Sequence, residues 1–182
     1  ENGTLAVVRQ SEWFVDTRIV WVDREGKEEP AIAPAGAFSF PRLSPDQRRI
    51  VVTVGRAGAN RNLWVYDLRR ELLTQLTRNE RSAAFGVWTP DGRQVVFTNE
   101  TPSYDLFRIP IDGSAPPVAV VSNIKDKFAG SVSPDGQEVV YGERWADNER
   151  IRIAPLGGPG PGRIVGDSSV LLKQPRYSPD GR

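Results

Sequence analysis

The chain has 182 residues, 24 Lys plus Arg against 23 Asp plus Glu, and neither cysteine nor histidine. That length suits one domain with a core of its own, and so even a charge balance leaves almost no net field to draw nucleic acid or anionic lipid. The two missing residue types exclude disulfides, thiolate and imidazole metal ligands, the usual general base and any cysteine nucleophile, so that only carboxylate chemistry, a calcium site or a paired-carboxylate hydrolase, stays open.

In chain order, the first elements are two short apolar runs, Leu5-Ala6-Val7-Val8 and Ile19-Val20-Trp21-Val22, which read as strands. Trp13 and Phe14 stand between them and are expected to be packing anchors in an inter-strand loop. A strand over about 38–43 leads into the turn Ser44-Pro45-Asp46-Gln47, and then come Ile50-Val51-Val52, Leu63-Trp64-Val65-Tyr66 and Leu73-Thr74-Gln75-Leu76-Thr77. The same succession starts again with a strand over about 83–88, the turn Thr89-Pro90-Asp91-Gly92, and the runs Val95-Val96-Phe97, Leu106-Phe107-Arg108-Ile109 and Val118-Ala119-Val120-Val121. A third copy runs through 128–132, Ser133-Pro134-Asp135-Gly136, Val139-Val140-Tyr141, Ile151-Arg152-Ile153 and Arg163-Ile164-Val165. A fourth begins with 173–177 and Ser178-Pro179-Asp180-Gly181, and Glu1-Asn2-Gly3 falls where a degenerate earlier turn is due.

One such tetrapeptide is an ordinary turn. Four of them about 45 residues apart, with Pro41, Gly86, Gly130 or Pro175 three residues ahead of each, constitute a repeat. Four strands per repeat, and no sustained helical period, predict an all-β fold: a β-propeller of four-stranded antiparallel blades. About four blades are expected, at about 1–43, 44–88, 89–132 and 133–177, with the start of a further blade at 178–182, in a single partial propeller domain. The sequence has no methionine and stops inside a turn motif, so it is expected to be part of a longer chain.

In such a blade the strand before the turn is innermost, and neighbouring sheets are expected to meet through Trp64, Phe97, Phe107 and Tyr141. The turn Asp residues, 46, 91, 135 and 180, are read as structural, because Pro presets φ, Asp accepts backbone N–H groups and Gly permits a positive φ. They lie one blade apart, which argues against a paired-carboxylate mechanism. Gly157 to Gly162 lacks the Lys of a phosphate-binding loop and sits between strands, so it reads as an outer hairpin.

The loops on the opposite face are longer and more polar: 55–61, 99–104 and 144–149. Variable loops on a rigid scaffold are where binding usually resides, and Arg and Trp are enriched at binding hot spots. Arg56, Arg61, Lys127, Arg144 and Trp145 are therefore the expected ligand-facing rim. No catalytic, cofactor-binding or metal-ligating residue is expected. The expected partner is a protein or peptide, with no nucleic acid and no direct membrane contact from this stretch, which has no run near the roughly 20 apolar residues of a span.

The Ser-Pro-Asp-Gly turns, the strand Leu63-Trp64-Val65-Tyr66-Asp67-Leu68 and the ending Leu76-Thr77 resemble the TolB-like, WD-repeat-like propeller family. Val20-Trp21-Val22-Asp23-Arg24-Glu25-Gly26-Lys27-Glu28-Glu29-Pro30, Phe40-Pro41-Arg42-Leu43-Ser44-Pro45-Asp46 and Val87-Trp88-Thr89-Pro90-Asp91-Gly92-Arg93 are similar to the propeller that follows the kinase domain in certain bacterial serine/threonine protein kinases. The resemblance implies the first two-thirds of a six-bladed propeller, an extracytoplasmic, periplasmic location after a membrane span, and a sensor or protein-interaction role without catalysis. Related propellers also gate prolyl-oligopeptidase-like serine peptidases, which gives the alternative of an accessory gating domain. Gln47 in place of Gly, and Pro155 in a third-strand run, depart from the pattern.

Overall fold

The computed structural model describes residues 5–10, 17–56, 59–78, 82–100, 103–123, 125–145, 148–158, 160, 162–166, 175–178 and 180–181. Within them the chain is all strand and turn, and no helix is long and apolar enough to cross a membrane. Two compact units divide it, 1–84 and 85–182.

The first unit holds two antiparallel sheets. One has the order β1-β2-β3, with β1 Leu5–Gln10, β2 Thr17–Val22 and β3 Glu28–Gly36; the other has the order β4-β5-β6-β7, with β4 Phe38–Leu43, β5 Arg49–Val54, β6 Asn62–Asp67 and β7 Leu72–Gln75. Alternation turns one set of side chains inward along each strand. Ile19, Ala31, Ile32, Phe38, Ile50, Val52 and Tyr66 form the core of this unit, with Trp21, Val54, Trp64, Leu68 and Leu73 packed on its border.

The second unit repeats the plan. Its sheets are β8-β9-β10-β11 (Ala83–Trp88, Gln94–Glu100, Tyr104–Pro110, Val118–Val121) and β12-β13-β14-β15 (Lys127–Val132, Glu138–Trp145, Asn148–Pro155, Arg163–Val165). Val87, Val96, Leu106, Val120, Val121, Val132, Val139, Tyr141, Ala154 and Leu156 fill the space between them. Tyr141 thus packs between sheets as expected, whereas Phe97 and Phe107 face each other across one ladder, ring centroids 6.1 Å apart. The 157–162 segment links β14 to β15, although Pro159 and Pro161 lie outside the described residues.

Sequence repeat and sheet are offset by one strand. Residues 44–88 contain β5, β6 and β7 of one sheet and β8, the first strand of the next. Two expectations need amending. The first sheet gains β3 as a third strand, over a Pro- and Glu-rich stretch, and residues 175–177 belong to no strand. Instead, that segment lies along β12: the Tyr177 N–H donates to Ser131 Oγ at 2.7 Å, and the Tyr177 ring packs on Val140, Ile151 and Ile153. Glu1-Asn2-Gly3, Trp13, Phe14 and 173–174 lie outside the described residues.

The turns fix the spacing of everything else. Ser44, Thr89, Ser133 and Ser178 donate a hydroxyl hydrogen to the Asp two residues on, at 2.5, 2.6, 2.6 and 2.7 Å. The first three of those hydroxyls accept the N–H of Arg49, Gln94 and Glu138, which starts the next strand. Gly92, Gly136 and Gly181 take positive φ, and Gln47 adopts the same conformation at φ 57°. Two of the turns also stand near the one before: a Cβ on Gly136 would lie 3.7 Å from the Pro90 ring, and one on Gly181 3.5 Å from the Pro134 ring.

Candidate functional site

At the end away from these turns, two of the sheets close with a polar bracket. In the first unit it is neutral: the Thr77 hydroxyl donates to Asn62 Oδ1 at 3.1 Å and accepts the Leu63 N–H at 2.9 Å. At the same place in the second unit stand Asp105 and Ser122, whose hydroxyl donates to Asp105 Oδ2 at 2.6 Å. A buried carboxylate in place of an amide requires a buried cation.

Lys127 provides it. Its ammonium donates to Asp105 Oδ1 at 2.8 Å, to the Asn123 carbonyl at 3.1 Å and to the Lys125 carbonyl, and its side chain is 0 % exposed. Burial pushes the Asp105 carboxyl up, but the Lys127 ammonium, the Ser122 hydroxyl and the Asn123 N–H outweigh it and hold the group below the usual carboxylate range. Asn123 extends the network: its side-chain amide donates to Glu143 Oε1 at 3.1 Å. Glu143, also buried, accepts from Arg152 Nε at 2.6 Å, and Arg152 reaches on to the Gly162 carbonyl. Two anions and two cations balance in this interior.

The residues beside the buried pair form a surface. Tyr104 precedes Asp105 and Phe128 follows Lys127, so strand alternation sends these rings the other way. Tyr104 and Phe128 lie 6.1 Å apart, and Phe85 meets Phe128 edge-on at 5.5 Å. Arg144 lies over Phe128, its guanidinium carbon 5.1 Å from the ring centroid, and donates from Nη1 to Asp126 Oδ2 at 3.2 Å. The Arg144 side chain is 59 % exposed, whereas Phe85, Tyr104 and Phe128 are half-buried.

Phe85 is held at φ 56°, and Phe40, at the same position of the preceding inner strand, at φ 53°. A bulky side chain rarely adopts this left-handed conformation, and such strain collects at functional sites. In β4 it accompanies a bulge between Ser39 and Arg42 that re-aims the strand.

The five expected rim residues separate. Arg144 is on the surface just described. Trp145 closes β13, but its side chain lies outside the described residues. Arg56 is exposed in the loop after β5 of the first unit, and Arg61 is half-buried there, its carbonyl accepting the Ala83 N–H at 2.8 Å. Lys127 must be removed from the rim, because its ammonium is sealed among Asp105 and two backbone carbonyls and meets no solvent. Sequence reasoning missed Asp105, Asn123, Glu143 and the aromatic group. A signal existed for Lys127, since six residues before Ser44 and Thr89 stand Phe38 and Ala83, both buried.

Comparison with known proteins places the chain in a family. The TolB beta propeller domain family matches residues 24–182. The Tol-Pal system protein TolB of Anaeromyxobacter dehalogenans (strain 2CP-C) is 33% identical over 90 residues, 49% of this chain and 20% of that protein. The crystal structure of TolB from Acinetobacter baumannii superposes with a TM-score of 0.77 at 22% identity, covering 98% of this chain and 44% of that one. A prolyl endopeptidase structure gives 0.63 at 15% identity, covering 92% of this chain and 29% of the enzyme, a likeness of fold alone. The chain therefore spans a fifth of the curated relative's length. On the match over residues 24–182 and the repeated turns that underlie it, the chain belongs to the TolB beta propeller domain family.

Proposed function

We propose that this chain is a non-catalytic binding module, part of a six-bladed propeller, which captures a protein or peptide on the loop face opposite the Ser-Pro-Asp-Gly turns. The observation that carries this is the surface around Phe128, flanked by Phe85, Tyr104 and Arg144 and backed by the Asp105–Lys127 pair. Aromatic and Arg side chains dominate binding hot spots, and a surface fixed from beneath loses little freedom on binding. The buried carboxylates already have donors on them, Asp105 from Lys127 and Ser122 and Glu143 from Asn123 and Arg152, which suits scaffolding rather than proton transfer.

The similarity to a TolB of a Tol-Pal system and the resemblance of 20–30 and 40–46 to kinase-attached propellers support an extracytoplasmic sensor or interaction domain, carried by a bacterial serine/threonine kinase or a TolB-like module. The parent reading frame tests the attachment: a kinase domain and a membrane span ahead of residue 1 support it, and a hydrolase domain after residue 182 overturns it.

Binding is tested by selecting a phage-displayed random peptide library on the wild-type protein and measuring the recovered peptides on Arg144→Ala and Phe128→Ala. Affinity falling about tenfold or more, equivalent to roughly 1.4 kcal/mol, with the peptides recovered intact by mass spectrometry, is the expected result. Unchanged affinity on both variants, or peptide cleavage, overturns the proposal.

A further inference from the structure

We infer that Lys127 is a built-in cation that gathers the Asn123 and Lys125 carbonyls and so positions the recognition surface, a role that rests on reading that face as the binding face. An ammonium has three hydrogens and no acceptor, and Lys127 places all three on oxygen: Asp105 Oδ1, the Asn123 carbonyl and the Lys125 carbonyl. Two carbonyls of one short loop that converge on a single point repel each other unless a positive charge lies between them. Asn123 and Lys125 are therefore arranged around the lysine.

Asp126, held between Lys125 and Lys127, is where the surface is assembled. Its Oδ1 accepts the Tyr104 N–H at 3.4 Å, its Oδ2 accepts from Arg144 Nη1 at 3.2 Å, and its carbonyl accepts the Arg144 N–H at 2.8 Å. Tyr104 and Arg144 thus take their places from a residue that Lys127 holds at either side, and both lie against Phe128. Stability alone does not call for an ion pair here, because a matched apolar pair of similar volume is often as stable or more so. The repeat itself uses apolar residues at this register, Phe38 and Ala83. What an apolar side chain lacks is the means to hold two carbonyls and a carboxylate together.

The test uses the full chain. In the double variant Asp105→Asn with Lys127→Met, both charges are removed while volume and the acceptor for Ser122 are kept. The backbone N–H groups of Lys125 and Arg144 are expected to exchange with deuterium at least tenfold faster than in wild type, with those of Val139 to Tyr141 unchanged; unaltered exchange at Lys125 and Arg144 overturns the inference. In Lys127→Ala, n-propylammonium chloride restores the deleted arm and its charge, and is expected to recover loop protection where n-propanol does not. Equal recovery with propanol overturns the inference, since filling the space would then suffice. A loosened loop with undiminished binding of the selected peptides supports the clamp and overturns the reading of this face as the binding face.

Discussion

Tyr177 donates its phenolic hydrogen to Glu138 Oε2 at 3.1 Å, joining residues 39 apart in sequence. Burial and then this carboxylate push the phenol up to about 12. An ionised phenol would lose its donor and face an anion, so the contribution of this contact is complete below the unfolded value of about 10 and is lost as pH rises through about 12. Absorbance titration of tyrosinate should show a component with a midpoint near 12 that vanishes in Tyr177→Phe. If the lost component titrates near 10, the Tyr177 phenol is not held against Glu138.

The turn hydroxyls should carry measurable stability. Ser133 is buried, donates to Asp135 and accepts the Glu138 N–H at 2.9 Å. Ser133→Ala leaves that N–H without its partner, and a loss of about 1–3 kcal/mol is expected, read as a lower urea midpoint at constant m-value. Ser178→Ala, at the more exposed turn, should lose less.

Acid should weaken the turns together. The Asp46, Asp91 and Asp135 carboxyls are held below their usual range, first by the Ser or Thr hydroxyl and then by the backbone N–H two residues on. Since the folded pKa is depressed, the stabilisation is present above the unfolded value of about 3.9 and disappears as pH falls through the folded one. Urea midpoints measured from pH 5 down to 2 should therefore fall, and Asp135→Asn should fall less steeply; identical slopes would rule the turn carboxylates out as the cause.

Gly130 tests the seat of the 175–178 segment. A Cβ there would meet the Val140 carbonyl oxygen at 2.8 Å, the Pro175 ring at 3.0 Å and the Pro175 carbonyl oxygen. Gly130→Ala is expected to be destabilising by about 1–3 kcal/mol, the usual range for an overpacked site, and to increase proteolysis near residue 175. Unchanged cleavage would show that this contact does not hold the segment.

The strands were legible because turns and apolar runs are local signals. Ser44, Thr89 and Ser133 mark the start of β5, β9 and β13 through bonds made within five residues. β3 was not, because Pro30, Pro34 and a run of Glu are poor strand formers, and an edge strand needs a partner on one side only. The surface was half legible: Arg144 is charged, exposed and in a loop-flanking position, as type and register suggest. Lys127 was misjudged because residue type argues for solvent, whereas its burial depends on Asp105, which is 22 residues away in another sheet. Positive φ at Phe85 has no counterpart in composition at all.

The placement of two turn glycines beside the proline ring of the turn before, Gly136 by Pro90 and Gly181 by Pro134, gives the assembly a direction. During synthesis the proline leaves the ribosome first and its turn can be in place before the glycine arrives. The turns of Gly136 and Gly181 thus arrive beside a ring already in place. Such a chain is suited to growing from its N-terminal end, one repeat templating the next.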